Sequence, residues 1–242
     1  MLERLAAKHE ISFLLTRPDR PAGRGRRVTP PPAKVVAERL GIPVLQPERL
    51  DVLPAETIVL VAYGRLIPRE LLERHHWLNV HPSLLPRWRG AAPVERALMA
   101  GDPETGVTII ELVEELDAGP IVAQRSFRIE PQDDAGGVYA KAAPLAVELL
   151  DDLHEPRPQP LEGVTYAEKI TAADRELDLS RPEEALRKVR ALSPHIGARA
   201  VLDGRQVTVW KARIADGRLE PVEVQPEGRR RMTYAEFLRG LR

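Results

Sequence analysis

Asn79, His81 and Asp117 are the residues of this chain whose types and placement could do chemistry together. Asn79 and His81 stand two apart in Leu78-Asn79-Val80-His81-Pro82, and an extended segment turns both side chains to one face. Asp117 stands in Glu115-Leu116-Asp117-Ala118-Gly119, a turn that follows the apolar run Val107 to Leu112. An amide NH₂ can donate to a developing oxyanion, an imidazole can donate or pass a proton near neutral pH, and a carboxylate can accept one. Taken singly, each has a plainer reading. An asparagine after a strand is more often a turn or cap residue, a lone histidine is merely hydrogen-bonded, and an aspartate before Ala-Gly is a turn acid.

Positioning such a trio is the work of an α/β sheet. Thr57 to Tyr63 reads as a buried strand leading towards Asn79, and Pro82 and Pro86 stiffen the turn that follows. The spacing predicts helices over Leu2–Lys8, Ala33–Leu40 (closed by Gly41), Pro68–Arg74, Pro93–Ala100 (stopped by Gly101) and Tyr139–Leu150. Strands over Ile11–Thr16 and Pro43–Leu45 complete an alternation that gives a mostly parallel, Rossmann-like sheet. Open sheets of this kind place chemistry on loops at strand ends. The chain opens on a helix where such a fold opens on a strand, so a missing first strand and an unpaired central edge are expected.

His154 to Pro160 is proline-rich and reads as a stiff, extended linker. Beyond it, a helix is expected over Arg181–Leu192 with Ser180 as its cap. A hairpin is expected around Asp203-Gly204, joining Ala198–Leu202 to Gln206–Ile214, then a strand over Arg218–Val224 and a helix over Thr233–Leu241. Three strands fall short of the five of an oligonucleotide-binding (OB) barrel, so the expectation is a small, incomplete OB-like domain. The expected division is 1–152 for the α/β domain, 153–164 for the linker and 165–242 for the OB-like domain.

The 242 residues carry 36 basic and 36 acidic side chains, so any attraction to nucleic acid must be local. There is no cysteine, hence no disulfide, thiolate ligand or cysteine nucleophile, and a cytoplasmic protein is expected. No metal-binding pattern is present, and no metal is expected. Arg17, Arg20, Arg24, Arg26 and Arg27 crowd a loop that holds one acid, Asp19. That loop is either a solvated surface or a phosphate contact. Gly23 and Gly25 lack the third glycine of a dinucleotide fingerprint. The run Arg229-Arg230-Arg231 has the same two readings.

The stretch Asn79-Val80-His81-Pro82-Ser83-Leu84-Leu85-Pro86 with Gly90, followed by Gly106-Val107-Thr108 and Leu116-Asp117-Ala118-Gly119, resembles the formyltetrahydrofolate-dependent formyltransferase family. The extension Pro86-Arg87-Trp88-Arg89-Gly90-Ala91-Ala92-Pro93 is similar to the branch acting on methionyl-tRNA rather than on glycinamide ribonucleotide. Arg17 to Gly25 and Thr165 to Ile170 agree with that branch, and the similarity covers nearly the whole chain. The resemblance implies transfer of a formyl group from 10-formyltetrahydrofolate to the amino group of methionyl-initiator tRNA. It implies catalysis by Asn79, His81 and Asp117, folate contact at Ser83, Leu84, Leu85 and Pro86, and tRNA contact at Arg20, Gly23 and Arg24. A monomer without membrane attachment is expected. Two other readings stand beside it: a formyltransferase acting on an amino-sugar, and a non-catalytic remnant that binds tRNA or folate. The absent first strand and short barrel motivate the second.

Overall fold

The computed structural model describes residues 1–22, 27–48 and 53–241. In chain order the elements are α1 (Leu2–Ala6), β1 (Leu14–Leu15), β2 (Arg20–Ala22), β3 (Arg27–Thr29), α2 (Pro32–Arg39), β4 (Val44–Leu45), β5 (Thr57–Leu60) and α3 (Arg69–Arg74). There follow β6 (His76–His81), β7 (Arg89–Gly90), α4 (Pro93–Ala100), β8 (Glu104–Glu111), β9 (Ile121–Arg128), α5 (Ala135–Leu150) and β10 (Tyr166–Ala167). The last are α6 (Pro182–Leu192), β11 (Ala198–Leu202), β12 (Arg205–Ala215), β13 (Arg218–Pro226), β14 (Met232–Thr233) and α7 (Tyr234–Arg239). They fall into two compact units. One comprises Met1–His81, Thr108–Gln124 and Ala143–Gln159; the other comprises Pro82–Val107, Arg125–Ala142 and Pro160–Arg242.

The first unit holds β5, β6 and parts of β8 and β9, strands of a sheet with the order β5-β6-β8-β9. Strand β5 runs parallel to β6, with Leu60 opposite Asn79, and β6 runs antiparallel to β8, with His81 opposite Thr108. Strands β1 and β4 form a separate parallel pair, Leu14 opposite Val44. Parallel pairing and interleaved helices make this the expected Rossmann-like α/β arrangement, with its parallel strands in two sheets rather than one. Among the described residues, no strand joins β1 to β5. Strand β5 ends earlier than the apolar run suggested, because Ala62 takes φ +46°, a conformation that breaks a ladder. Leu53, Ile58, Leu71 and Trp77 form the core against this sheet. The Trp77 indole N–H donates to the Leu71 carbonyl at 2.8 Å, so its polar end is satisfied while its ring is buried. Burying a large apolar side chain is worth about 1.5–3 kcal/mol, which holds the β6 backbone below Asn79 and His81 in place.

The second unit carries the antiparallel sheet β11-β12-β13-β14. Both hairpin turns have positive φ at their two central residues, Asp203 and Gly204 (+48° and +73°) and Asp216 and Gly217 (+49° and +69°). Such turns match the twist of the paired strands. The turn at Asp216 and Gly217 joins β12 directly to β13, so this four-stranded sheet stops short of the five strands of an OB barrel. Val189 and Leu192 of α6 pack on Ala198, Val207, Val209 and Val224 of the sheet, with Phe237 of α7. Helix α7 starts with a capping box between Thr233 and Glu236. Helix α6 does not start as expected. Its cap position is Arg181, without a side-chain cap, and the Ser180 hydroxyl instead donates to Asp178 at 2.6 Å. An acid two residues upstream competes for the serine more closely than the helix does.

The segment Thr165–Ile170 is anchored by Arg96 of α4. Its guanidinium meets the Asp174 carboxylate at 2.9 and 3.0 Å and the Glu168 and Lys169 carbonyls at 3.2 and 3.3 Å. The bonds from Arg96, with those from the Thr171 N–H and hydroxyl, hold the Asp174 carboxyl well below the usual carboxylate range. A depressed folded value stabilises the protein above the unfolded value and loses that stabilisation as pH falls through and below it. Replacing Asp174 with asparagine is therefore expected to lower the urea midpoint at pH 7. The gap should narrow as pH drops below about 4, the unperturbed aspartate range. A gap that stays constant from pH 7 to pH 3 would show that the charge contributes nothing.

Candidate active site

Strand β6 is buried from Trp77 to His81, and its alternation puts Asn79 and His81 on one face. The loop after β8 brings Asp117 to that face. Asn79 Nδ2 donates to Asp117 Oδ1 at 3.1 Å, and His81 Nδ1 lies 3.6 Å from Asp117 Oδ2. All three side chains are buried, with 4 to 9 % of each residue exposed. The structure thus brings together the trio that sequence spacing proposed. An imidazole 3.6 Å from a carboxylate is one small side-chain adjustment from a hydrogen bond.

The Asp117 loop is held from three sides. Asp117 has φ +47°, a left-handed conformation that aspartate tolerates better than most residues. Glu111 N–H donates to the Pro120 carbonyl at 3.0 Å, closing the loop at its base. Gly119 lies so close to β8 that a Cβ there would stand 1.7 Å from the Glu111 carbonyl oxygen, so no other residue fits.

Gln159 supplies the third hold, and sequence reasoning did not single it out. Its side-chain Nε2 donates to the Asp117 carbonyl at 2.7 Å and to the Gly119 carbonyl at 2.8 Å. Both amide hydrogens are spent on the loop that carries the carboxylate. Gln159 sits between Pro158 and Pro160, in the stretch read as a linker. Arg157 in that stretch pairs its backbone with Ile121 of β9, at 2.7 and 2.9 Å. The proline-fixed segment is thus a strap that delivers one amide to the Asp117 turn. A lone glutamine between prolines was the only sequence signal for it.

In the second unit, the Ser83 hydroxyl donates to the Arg87 carbonyl at 2.7 Å, closing a tight turn over Ser83–Pro86. Ser83 and Leu85 are buried, while Leu84 and Pro86 keep part of their surface open. Arg87 forks onto Asp102 at 2.7 and 2.9 Å and lies 4.3 Å over the Trp88 ring, and the Trp88 indole donates to the same Asp102 at 2.8 Å. Trp88 is therefore fixed by its neighbours at the end of that turn. Arg20 is exposed on β2, opposite Thr29 of β3. Gly23 and Arg24, expected to contact tRNA, lie outside the described residues. Of the C-terminal arginines, Arg231 is engaged by the protein itself, 3.5 Å over the Trp210 ring and donating to the Pro194 carbonyl at 2.9 Å. No group of three His, Asp or Glu side chains among the described residues could hold a metal ion, and no described helix is long and apolar enough to cross a membrane.

A mixed α/β sheet presenting Asn, His and Asp, followed by an antiparallel C-terminal sheet, is the arrangement of a formyl transferase. The formyl transferase family matches residues 2–152, and the formyl transferase C-terminal domain matches residues 169–218. The chain belongs to the methionyl-tRNA formyltransferase family. It is 43% identical to the methionyl-tRNA formyltransferase of Halorhodospira halophila, over 95% of this chain and 88% of that protein. It is 41% identical to that of Cereibacter sphaeroides, over 99% of this chain and 91% of that protein. Its fold is also that of the solved methionyl-tRNA formyltransferase of Clostridium thermocellum. There the identity is 19% and the TM-score 0.58, over 71% of this chain and 77% of that one.

Proposed function

We infer that this chain transfers the formyl group of 10-formyltetrahydrofolate to the free amino group of methionyl-initiator tRNA. The observation that carries this reading is the buried Asn79–Asp117–His81 constellation, in a chain similar to methionyl-tRNA formyltransferases along nearly its whole length. The amine nitrogen attacks the formyl carbon, a C–N bond forms, and the carbonyl oxygen becomes an oxyanion. Asn79 has two amide hydrogens; one meets Asp117 and the other serves the oxyanion. Asp117 accepts the proton from the attacking nitrogen. His81 donates to the oxyanion and passes a proton to N10 of the folate as the C–N10 bond breaks. Protons and charge then balance, with tetrahydrofolate and the formylated amine as products.

The segment Ser83, Leu84, Leu85 and Pro86 meets the folate: buried Ser83 and Leu85 fix the turn, and Leu84 and Pro86 offer apolar surface to a flat ring. Arg20, Gly23 and Arg24 meet the tRNA. Functionally, the chain divides into a formyl-transfer part over 1–152, a connection over 153–164 and a tRNA-binding part over 165–242. It acts as a monomer in the cytoplasm. The experiment is formyl transfer from 10-formyltetrahydrofolate to charged initiator methionyl-tRNA by the purified chain. Turnover is expected. A folded chain that binds tRNA at low salt and transfers nothing would instead make it a non-catalytic remnant.

A further inference from the structure

We propose that Gln159 is a positioning residue for formyl transfer: its side-chain amide sets the Asp117 turn so that the carboxylate faces the attacking amine. The inference rests on the function proposed above and adds a residue that none of its steps uses. Gln159 Nε2 donates to the Asp117 carbonyl at 2.7 Å and to the Gly119 carbonyl at 2.8 Å. One amide therefore spans the turn from Asp117 to Gly119, and both its hydrogens end on backbone. With its donors so placed, Gln159 acts on the carboxylate through the main chain.

The turn needs such a hold. Val113, Glu114, Glu115 and Leu116 are exposed, and Asp117 is where the loop between β8 and β9 dips into the interior. It does so at φ +47°, a conformation that a non-glycine residue adopts only when its surroundings impose it. The Asn79 amide orients one carboxylate oxygen at 3.1 Å, and the Gln159 bonds act on the backbone beneath it. Buried carbonyls also demand donors, so one amide meets both requirements of the turn.

The strap that carries Gln159 is built to deliver that amide. The His154 N–H donates to the Val122 carbonyl at 2.8 Å, and Arg157 exchanges backbone bonds with Ile121 at 2.7 and 2.9 Å, so the segment is laced to the start of β9. Pro156, Pro158 and Pro160 fix φ at alternate residues, and each restricts the residue before it. From Asp151 to Pro160 every residue is exposed except Gln159. A surface strap that is stiff on both sides of its one buried side chain presents the amide with little conformational freedom left to lose. A strap that only covered the sheet could bury an apolar side chain there without desolvating a polar group. The amide at this place marks the Asp117 turn as what the strap serves.

The test is single-turnover formyl transfer by the full chain, comparing the parent, Gln159→Leu, Asp117→Asn and Gln159→Leu/Asp117→Asn. A misplacement of about 1 Å can cost about 10²-fold in rate, so Gln159→Leu is expected to slow transfer at saturating substrates by about 10–10²-fold. The KM values for folate and tRNA should stay unchanged. In the Asp117→Asn background the same substitution should cost less than about twofold, because no base is left to position. A residue that merely held the fold together would slow both backgrounds alike. Exposed Pro158 and Pro160 supply a variant that keeps the amide and loosens its mount. Pro158→Ala/Pro160→Ala should slow transfer with KM unchanged, and it decides the question if Gln159→Leu does not fold. An unchanged rate in the variant that decides, or equal losses in the two backgrounds, overturns the positioning role and leaves the function standing. A folded parent chain that transfers no formyl group overturns both.

Discussion

Replacing Asp117 with asparagine is expected to lower kcat for formyl transfer by about 10²–10⁴-fold, the range typical of a positioned acid–base group. Affinity for tRNA should be unchanged. The substitution is close to a pure chemical change. Asparagine tolerates the left-handed φ that Asp117 adopts, so the turn need not move. The Gln159 bonds go to the backbone carbonyls of Asp117 and Gly119 and are indifferent to the side chain. The carboxamide oxygen can still accept from Asn79. What is lost is the capacity to take the proton of the attacking amine and to face an imidazolium at His81. Single-turnover formylation with saturating substrates, set beside tRNA binding, separates the two effects. Near-normal turnover would place the base elsewhere, and parallel loss of tRNA binding would mean that the variant had disturbed the fold.

The parts of the site that could be read from the sequence share one property: local geometry fixes them. Asn79 and His81 face one way because an extended segment has a period of two. Helix α4 has the expected bounds because Pro93 opens it and Gly101 closes it. The hairpin at Asp203-Gly204 was legible because few dipeptides accept two positive φ values.

What escaped was decided by contacts distant in sequence. Gln159 looked like spacer because its meaning lies in two carbonyls some forty residues away. Arg17 looked like one more charge in a basic loop, yet the Tyr63 carbonyl gives it a direction. Ser180 looked like a cap until Asp178 outcompeted the helix for its hydroxyl. Hydrophobic period and turn chemistry assign elements; they say nothing about which polar side chain reaches across to which backbone.

Asn79 is the second residue whose loss should be severe. Removing a single oxyanion donor typically costs about 10²–10³ in kcat, and Asn79→Ala is expected to fall in that range with the KM for tRNA little changed. The expected loss has two sources. The alanine cannot donate to the oxyanion, and it leaves Asp117 Oδ1 without the 3.1 Å amide that orients it. A thermal melt close to the parent's would exclude collapse of the β6 strand as the cause. The double variant Asn79→Ala/Asp117→Asn distinguishes the two sources. Groups in contact that stabilise one transition state lose most of their joint effect when either is removed, so the double variant should be little slower than the worse single one. If the two losses instead multiply, Asn79 and Asp117 act on separate steps. The 3.1 Å bond between them would then be a resting-state contact that the reaction does not use.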